Sequence, residues 1–133
     1  MMRVLIVEDD FVSRKLLHQM ISPYGQCDIA VDGMEAVEAF KLALADGKTY
    51  DLVCMDIMMP RMDGQEALHQ IRQLEVQYNI HERNAAKVVM TTAVDDKKQI
   101  TKAFYKGGAA SYFVKPIDRE KLLAELRILG LIC

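Results

Sequence analysis

The residues in this chain best suited to chemistry are acids, hydroxyls and one lysine, and each lies just after an apolar run. Val4-Leu5-Ile6-Val7 leads into Glu8, Asp9 and Asp10, and Leu52-Val53-Cys54-Met55 into Asp56. Lys87-Val88-Val89-Met90 leads into Thr91 and Thr92, and Ser111-Tyr112-Phe113-Val114 into Lys115-Pro116. Carboxylates crowded together repel one another, and their pKa values rise unless a cation offsets the repulsion. A few oxygen ligands of this kind suit Mg2+, which keeps several waters and takes one or two carboxylates. A hydroxyl and an ammonium on the opposite side are donors for an anion. Divalent cation, lysine and threonine around one carboxylate form a phosphoryl-binding constellation.

Whether these residues meet depends on the elements that carry them. The apolar runs are continuous rather than alternating, as in strands buried on both faces. Between them the apolar residues recur at helical spacing: Val12, Leu16, Leu17, Met20 and Ile21; Ala36, Val37, Phe40 and Leu44; Ala67, Leu68, Ile71 and Leu74. Further on, Ile100, Ala103 and Phe104 mark a fourth helix begun by Asp95 and Asp96 and closed by Gly107-Gly108. Leu122, Leu123, Leu126 and Leu129 mark a fifth. Asp32 with Glu35, and Asp63 with Glu66, have the spacing of capping boxes. Cys27–Val31 is a weaker strand whose Asp28 implies a less enclosed place in the sheet. The polar stretch 75–86 has no period and reads as a helix end plus a loop.

Five strand–helix units in succession predict one domain over residues 1–133, a doubly wound α/β fold with a five-stranded parallel sheet and helices on both faces. Every strand of such a sheet delivers its last residue to the same rim, where open α/β sheets bind their ligands. Periodicity alone leaves the strand order open.

Composition narrows the function. The chain has 133 residues, 51% of them hydrophobic, and a formal net charge of −2, which argues against broad electrostatic binding to nucleic acid or anionic lipid. Cys27, Cys54 and Cys133 are odd in number and lack CxxC spacing, so neither a disulfide framework nor a zinc site is expected. The amino terminus lacks the pattern of a signal peptide and no run is long enough to span a bilayer. The expectation is a cytoplasmic protein with no membrane insertion and no direct nucleic-acid contact.

The chain resembles the receiver domain of bacterial two-component response regulators, the chemotaxis-type single-domain regulators in particular. The resemblance rests on the acid pair after the first strand, D-x-x-M-P-x-M-D-G from Asp56 to Gly64, T-A at Thr92-Ala93, and K-P at Lys115-Pro116. It runs from Arg3 to about Leu129 and implies the flavodoxin-like strand order 2-1-3-4-5, for which a chemotaxis receiver is a standard example. It also implies that Asp56 is the phospho-accepting nucleophile and that Mg2+ is held by Asp9 directly, by Glu8 through water, by Asp56 and by the backbone carbonyl of Met58. Asp10 is then a bystander, unless the alignment slips by one residue. Thr92 matches the switch hydroxyl because the small Ala93 follows it, with Thr91 as the fallback. Lys115 matches the phosphate-pairing lysine, its bond to Pro116 is similar to one that is cis in the family, and Tyr112 matches the aromatic whose rotamer reports activation.

The resemblance implies a phosphorelay protein rather than an enzyme acting on outside substrates. A sensor histidine kinase or phosphotransfer protein presents a phosphohistidine, and Asp56 takes the phosphoryl group. The face of the fourth helix, fifth strand and fifth helix then changes its affinity for a downstream protein target. No output domain follows Leu129, so output by partner binding is expected. One alternative is a pseudo-receiver, an interaction module without phosphorylation. Another is a Mg2+-dependent aspartyl-phosphate hydrolase, which usually carries a second acid two residues past its nucleophile, where this chain has Met58. A dinucleotide or flavin binder on the same fold calls for a Gly-rich loop after the first strand, and acids stand there instead.

Overall fold

The computed structural model describes residues 1–93 and 108–133. Five strands, β1 (Met2–Val7), β2 (Gly25–Ala30), β3 (Leu52–Asp56), β4 (Lys87–Thr92) and β5 (Ser111–Val114), form one sheet in the order β2-β1-β3-β4-β5. All four pairings are parallel. The described helices are α1 (Phe11–Ile21), α2 (Gly33–Ala45), α3 (Gly64–Gln77) and α4 (Arg119–Ile128), with a single 3-10 turn at Glu82–Asn84. The doubly wound fold and its flavodoxin-like order agree with expectation. The helix expected to begin at Asp95 and Asp96 lies outside the described residues, and α4 is the last helix of the sequence reading.

Side-chain alternation along the strands builds a core on each face. Leu5, Val7, Val53, Met55, Val88 and Met90 pack against α2 and α3 through Phe40, Leu44, Leu68 and Ile71. Val4, Ile6, Leu52, Cys54 and Val89 pack against α1 and α4 through Leu17, Ile21, Leu122, Leu123 and Leu126. β1, β3 and β4 therefore bury side chains on both faces, which is why their sequences read as unbroken apolar runs. β2 is an edge strand, as Asp28 indicated, and Asp28 is exposed.

Caps fix where the helices begin. Asp32 accepts the Glu35 N–H at 2.9 Å, Asp63 the Glu66 N–H at 2.9 Å and Asp118 the Lys121 N–H at 3.0 Å. Each aspartate satisfies one of the orphan donors of a first turn. Of the apolar residues at helical spacing on α1, Val12 and Leu16 stand exposed, and Leu17 and Ile21 are the buried pair.

Candidate functional site

Register brings the strand ends together. Val7 pairs with Met55, so the residues that follow β1 arrive beside the end of β3, and Asp56 pairs with Thr91 on β4. Carboxylate oxygens of Glu8, Asp9 and Asp56 all lie within 4.8 Å of one another. Glu8 is fully buried and Asp56 is 5% exposed, while Asp9 faces solvent. Asp10 takes another part: its side chain accepts the Ser13 N–H at 2.8 Å and caps α1.

Lys115 closes the cluster from the end of β5. Its Nζ pairs with Glu8 and lies 3.1 Å from Asp56 Oδ2, while Asp56 Oδ1 accepts the Met58 N–H at 3.2 Å. The backbone N–H of Lys115 donates to the Thr92 carbonyl at 2.7 Å, and the Lys115–Pro116 bond is cis. Burial pushes the Glu8 carboxyl up to about 7, with Asp56 adding to the rise and Lys115 and the Asp10 N–H opposing it. For Lys115 burial works downward, but the two carboxylates outweigh it and hold the ammonium above its ordinary range.

The donor set fits a hard divalent cation. Three convergent carboxylates supply oxygen ligands, and one ammonium leaves an excess of negative charge that such an ion would offset. Of the methionines in the β3 run and the turn after it, Met55 lies in the core with Met59 and Met62 packed against it, and Met58 is 67% exposed.

Thr91 and Thr92 are both buried, at 2% and 3% exposed, and strand alternation sends them to opposite faces. The Thr91 hydroxyl has no hydrogen-bond partner among the described residues. Tyr112 is not core, being 40% exposed on β5 opposite Met90.

Several supporting residues were not legible beforehand. Arg14 Nη1 donates to the carbonyls of Glu8 and Asp9 at 3.0 and 3.4 Å, tying α1 to the acid loop. Arg61, in the turn after Asp56, has φ +66° and pairs with Asp32. The only sequence signal for Arg61 was its place between Pro60 and Asp63-Gly64. A depression of about 310 Å³ lies between α1 and the β5–α4 loop, lined by Leu16, Leu17, Met20 and Ile117 with Ala93 and Lys115 at its edge.

A carboxylate pocket closed by lysine, at the carboxyl rim of a flavodoxin-like sheet, defines a class of signalling domain. The model of the response regulator receiver domain matches residues 4–127, and the chain belongs to that family. It is a receiver domain of the CheY type, a component of two-component signalling. Chemotaxis protein CheY of Treponema pallidum (strain Nichols) is 41% identical over 126 residues, covering 93% of this chain and 79% of that protein. Probable histidine kinase 2 of Oryza sativa subsp. indica is 32% identical over 132 residues, 92% of this chain but 12% of that much longer protein. A chain in the crystal structure of the CheX-CheY-BeF3-Mg+2 complex from Borrelia burgdorferi superposes with a TM-score of 0.80 at 32% identity, over 97% of this chain and 89% of that one. Among the described residues no helix is long and apolar enough to cross a membrane.

Proposed function

We propose that Asp56 accepts a phosphoryl group from a phosphohistidine on a sensor kinase or phosphotransfer protein, in a site completed by Mg2+. The observation that carries the reading is the convergence of Glu8, Asp9 and Asp56 within 4.8 Å around a carboxylate that Lys115 also touches. The Borrelia burgdorferi complex, solved with BeF3 and Mg2+, supports the same pairing of ion and site here. Asp9, Asp56 and the Met58 carbonyl would hold the ion directly, with Glu8 reaching it through water. When bound, the ion neutralises charge on the phosphoryl oxygens.

This chain's own residues do the rest by position and charge. A carboxylate oxygen of Asp56 forms the new O–P bond as the P–N bond breaks, and the departing imidazole keeps the electron pair. Lys115 stands ready for a phosphoryl oxygen because Glu8 already orients its ammonium. Thr92 supplies the hydroxyl for another, and the exposed Ala93 beside it leaves that approach open. Phe11, Val12 and Leu16, all exposed on α1, give the donor protein an apolar surface next to the pocket. Tyr112, Val114 and Ile128, also exposed, belong to the face offered to a downstream target in the cytoplasm. The chain works as one receiver unit that catalyses only its own phosphorylation and slow dephosphorylation.

The test is labelling by a small phosphodonor in Mg2+, followed by intact mass. The parent should gain one phosphoryl group and Asp56→Asn none. One phosphate per chain on the Asn variant would remove Asp56 from its role.

A further inference from the structure

The loop between β3 and α3 carries Met58 and follows directly on Asp56, so its shape sets the shape of the site. It is fastened at its ends: the Ile57 N–H donates to Thr91 O at 2.9 Å, and the Gly64 N–H to Ile57 O at 2.7 Å. In the middle the chain turns through Arg61 at φ +66°. Glycine and asparagine enter that region readily, whereas a long side chain there needs a compensating contact. The contact is Asp32. Arg61 Nε donates to Asp32 Oδ2 at 2.7 Å, and Nη2 pairs with the same oxygen.

Asp32 is 4% exposed, and its other oxygen caps α2 through the Glu35 N–H. An ion pair between two solvated side chains contributes little, but here the carboxylate is enclosed and takes two guanidinium donors. Beside it, the Gly33 N–H donates to Met62 O at 3.2 Å, and a Cβ on Gly33 would stand 2.5 Å from that oxygen. The start of α2 and the crest of the loop are thus joined by two contacts at closest approach. Asp32 lies outside the acid cluster, and its side-chain partners are the Glu35 N–H and Arg61.

We infer that the Asp32–Arg61 pair is a positioning clamp for the ion site: it holds the β3–α3 loop so that the Met58 carbonyl keeps its place beside Asp56. This rests on reading Glu8, Asp9, Asp56 and Met58 as the Mg2+ site. Breaking the clamp lowers Mg2+ affinity although every proposed ligand remains.

Two substitutions isolate it. Arg61→Gly keeps the left-handed turn without steric cost and removes only the side chain. Asp32→Asn keeps a good helix cap and removes only the charge. Calorimetric titration with Mg2+ should give each variant an affinity about tenfold below the parent, in the range found when groups supporting metal ligands are removed. The double variant should bind no more weakly than the weaker single, because one contact is severed once. Melting of each single variant without Mg2+ should remain one cooperative transition well above the titration temperature, which separates positioning from loss of fold. Singles that bind Mg2+ like the parent, or whose losses add in the double variant, overturn the clamp and leave the site standing. A parent that binds no Mg2+ overturns the site and the clamp with it.

Discussion

Replacing Gly64 with alanine sets two local effects against each other. At a helix start alanine is preferred to glycine by up to about 1 kcal/mol. A methyl on Gly64, however, would stand 2.3 Å from the Asp56 carbonyl oxygen, 2.9 Å from Ile57 Cα and 2.9 Å from Met90 Cε. Close carbon–oxygen contacts settle at about 3.3 Å, so relief needs a shift of about 1 Å. The methionine can swing aside. The other two atoms are backbone at the end of β3, tied to β4 by the Asp56–Thr91 pairing and the Ile57 N–H. Overpacking costs about 1–3 kcal/mol, and rigid neighbours place this site near the top of that range. Net of the helix gain, the loss is about 2 kcal/mol, or about 6 °C in Tm for a domain of this size. Thermal melting followed by circular dichroism reads it. Phosphodonor labelling should slow as well, because the atom pressed hardest is the carbonyl oxygen of Asp56 itself. A variant melting at or above the parent would refute the reasoning.

Other substitutions probe separate parts of the structure. Thr91→Val should leave the protein unchanged or raise its stability by about 1 kcal/mol in urea unfolding, since the buried Thr91 hydroxyl has no partner among the described residues. Glu75→Ala should cost about 3 kcal/mol by the same assay. Glu75 is 5% exposed, lies 2.6 Å from Arg72 Nη1 and accepts the Ala86 N–H at 2.7 Å. Met58→Asn should shorten the life of the aspartyl phosphate, measured as loss of label over time. The parent offers an apolar side chain there, and an amide two residues past Asp56 can hydrogen-bond an attacking water.

Much of this was legible because a parallel sheet turns sequence into place. Once the apolar runs are taken as parallel strands, Glu8, Asp56, Thr92 and Lys115 must share a rim, whatever lies between them. The caps at Asp32 and Asp63 were legible for a local reason, an acid meeting the orphan amides of a first turn. What escaped was whatever depends on contact between elements. Glu75 sits in a polar stretch with no period, yet it is buried because Arg72 and the Ala86 N–H satisfy it. Arg72 also reaches the carbonyls of Ala86 and Gly108, at 3.0 and 2.9 Å, so one side chain ties α3 to the approaches of β4 and β5. Asp32 was read as a helix start, which it is, but nothing in the sequence announces its second partner 29 residues away. On α1 the spacing of Val12 and Leu16 fits a buried stripe as well as an exposed one, and only packing decides between them.

Phosphorylation as proposed alters the charge at the rim, and the contacts there determine which group can respond. Turning the Asp56 carboxylate into an acyl phosphate takes its charge from −1 toward about −2 and moves that charge outward. Lys115 cannot follow it far, because the buried Glu8 carboxylate holds the same ammonium. In the proposed reading it is Thr92, at the end of β4, that adjusts, and its carbonyl accepts the Lys115 N–H at 2.7 Å. Movement of Thr92 toward the phosphate would then pull on the end of β5, the strand that carries Tyr112 three residues before Lys115. Phosphate shifts this rim only by the difference in its affinity for the two arrangements, typically about 1–3 kcal/mol. That range suffices for a half-exposed tyrosine to change place, while the cores on both faces of the sheet stay as they are.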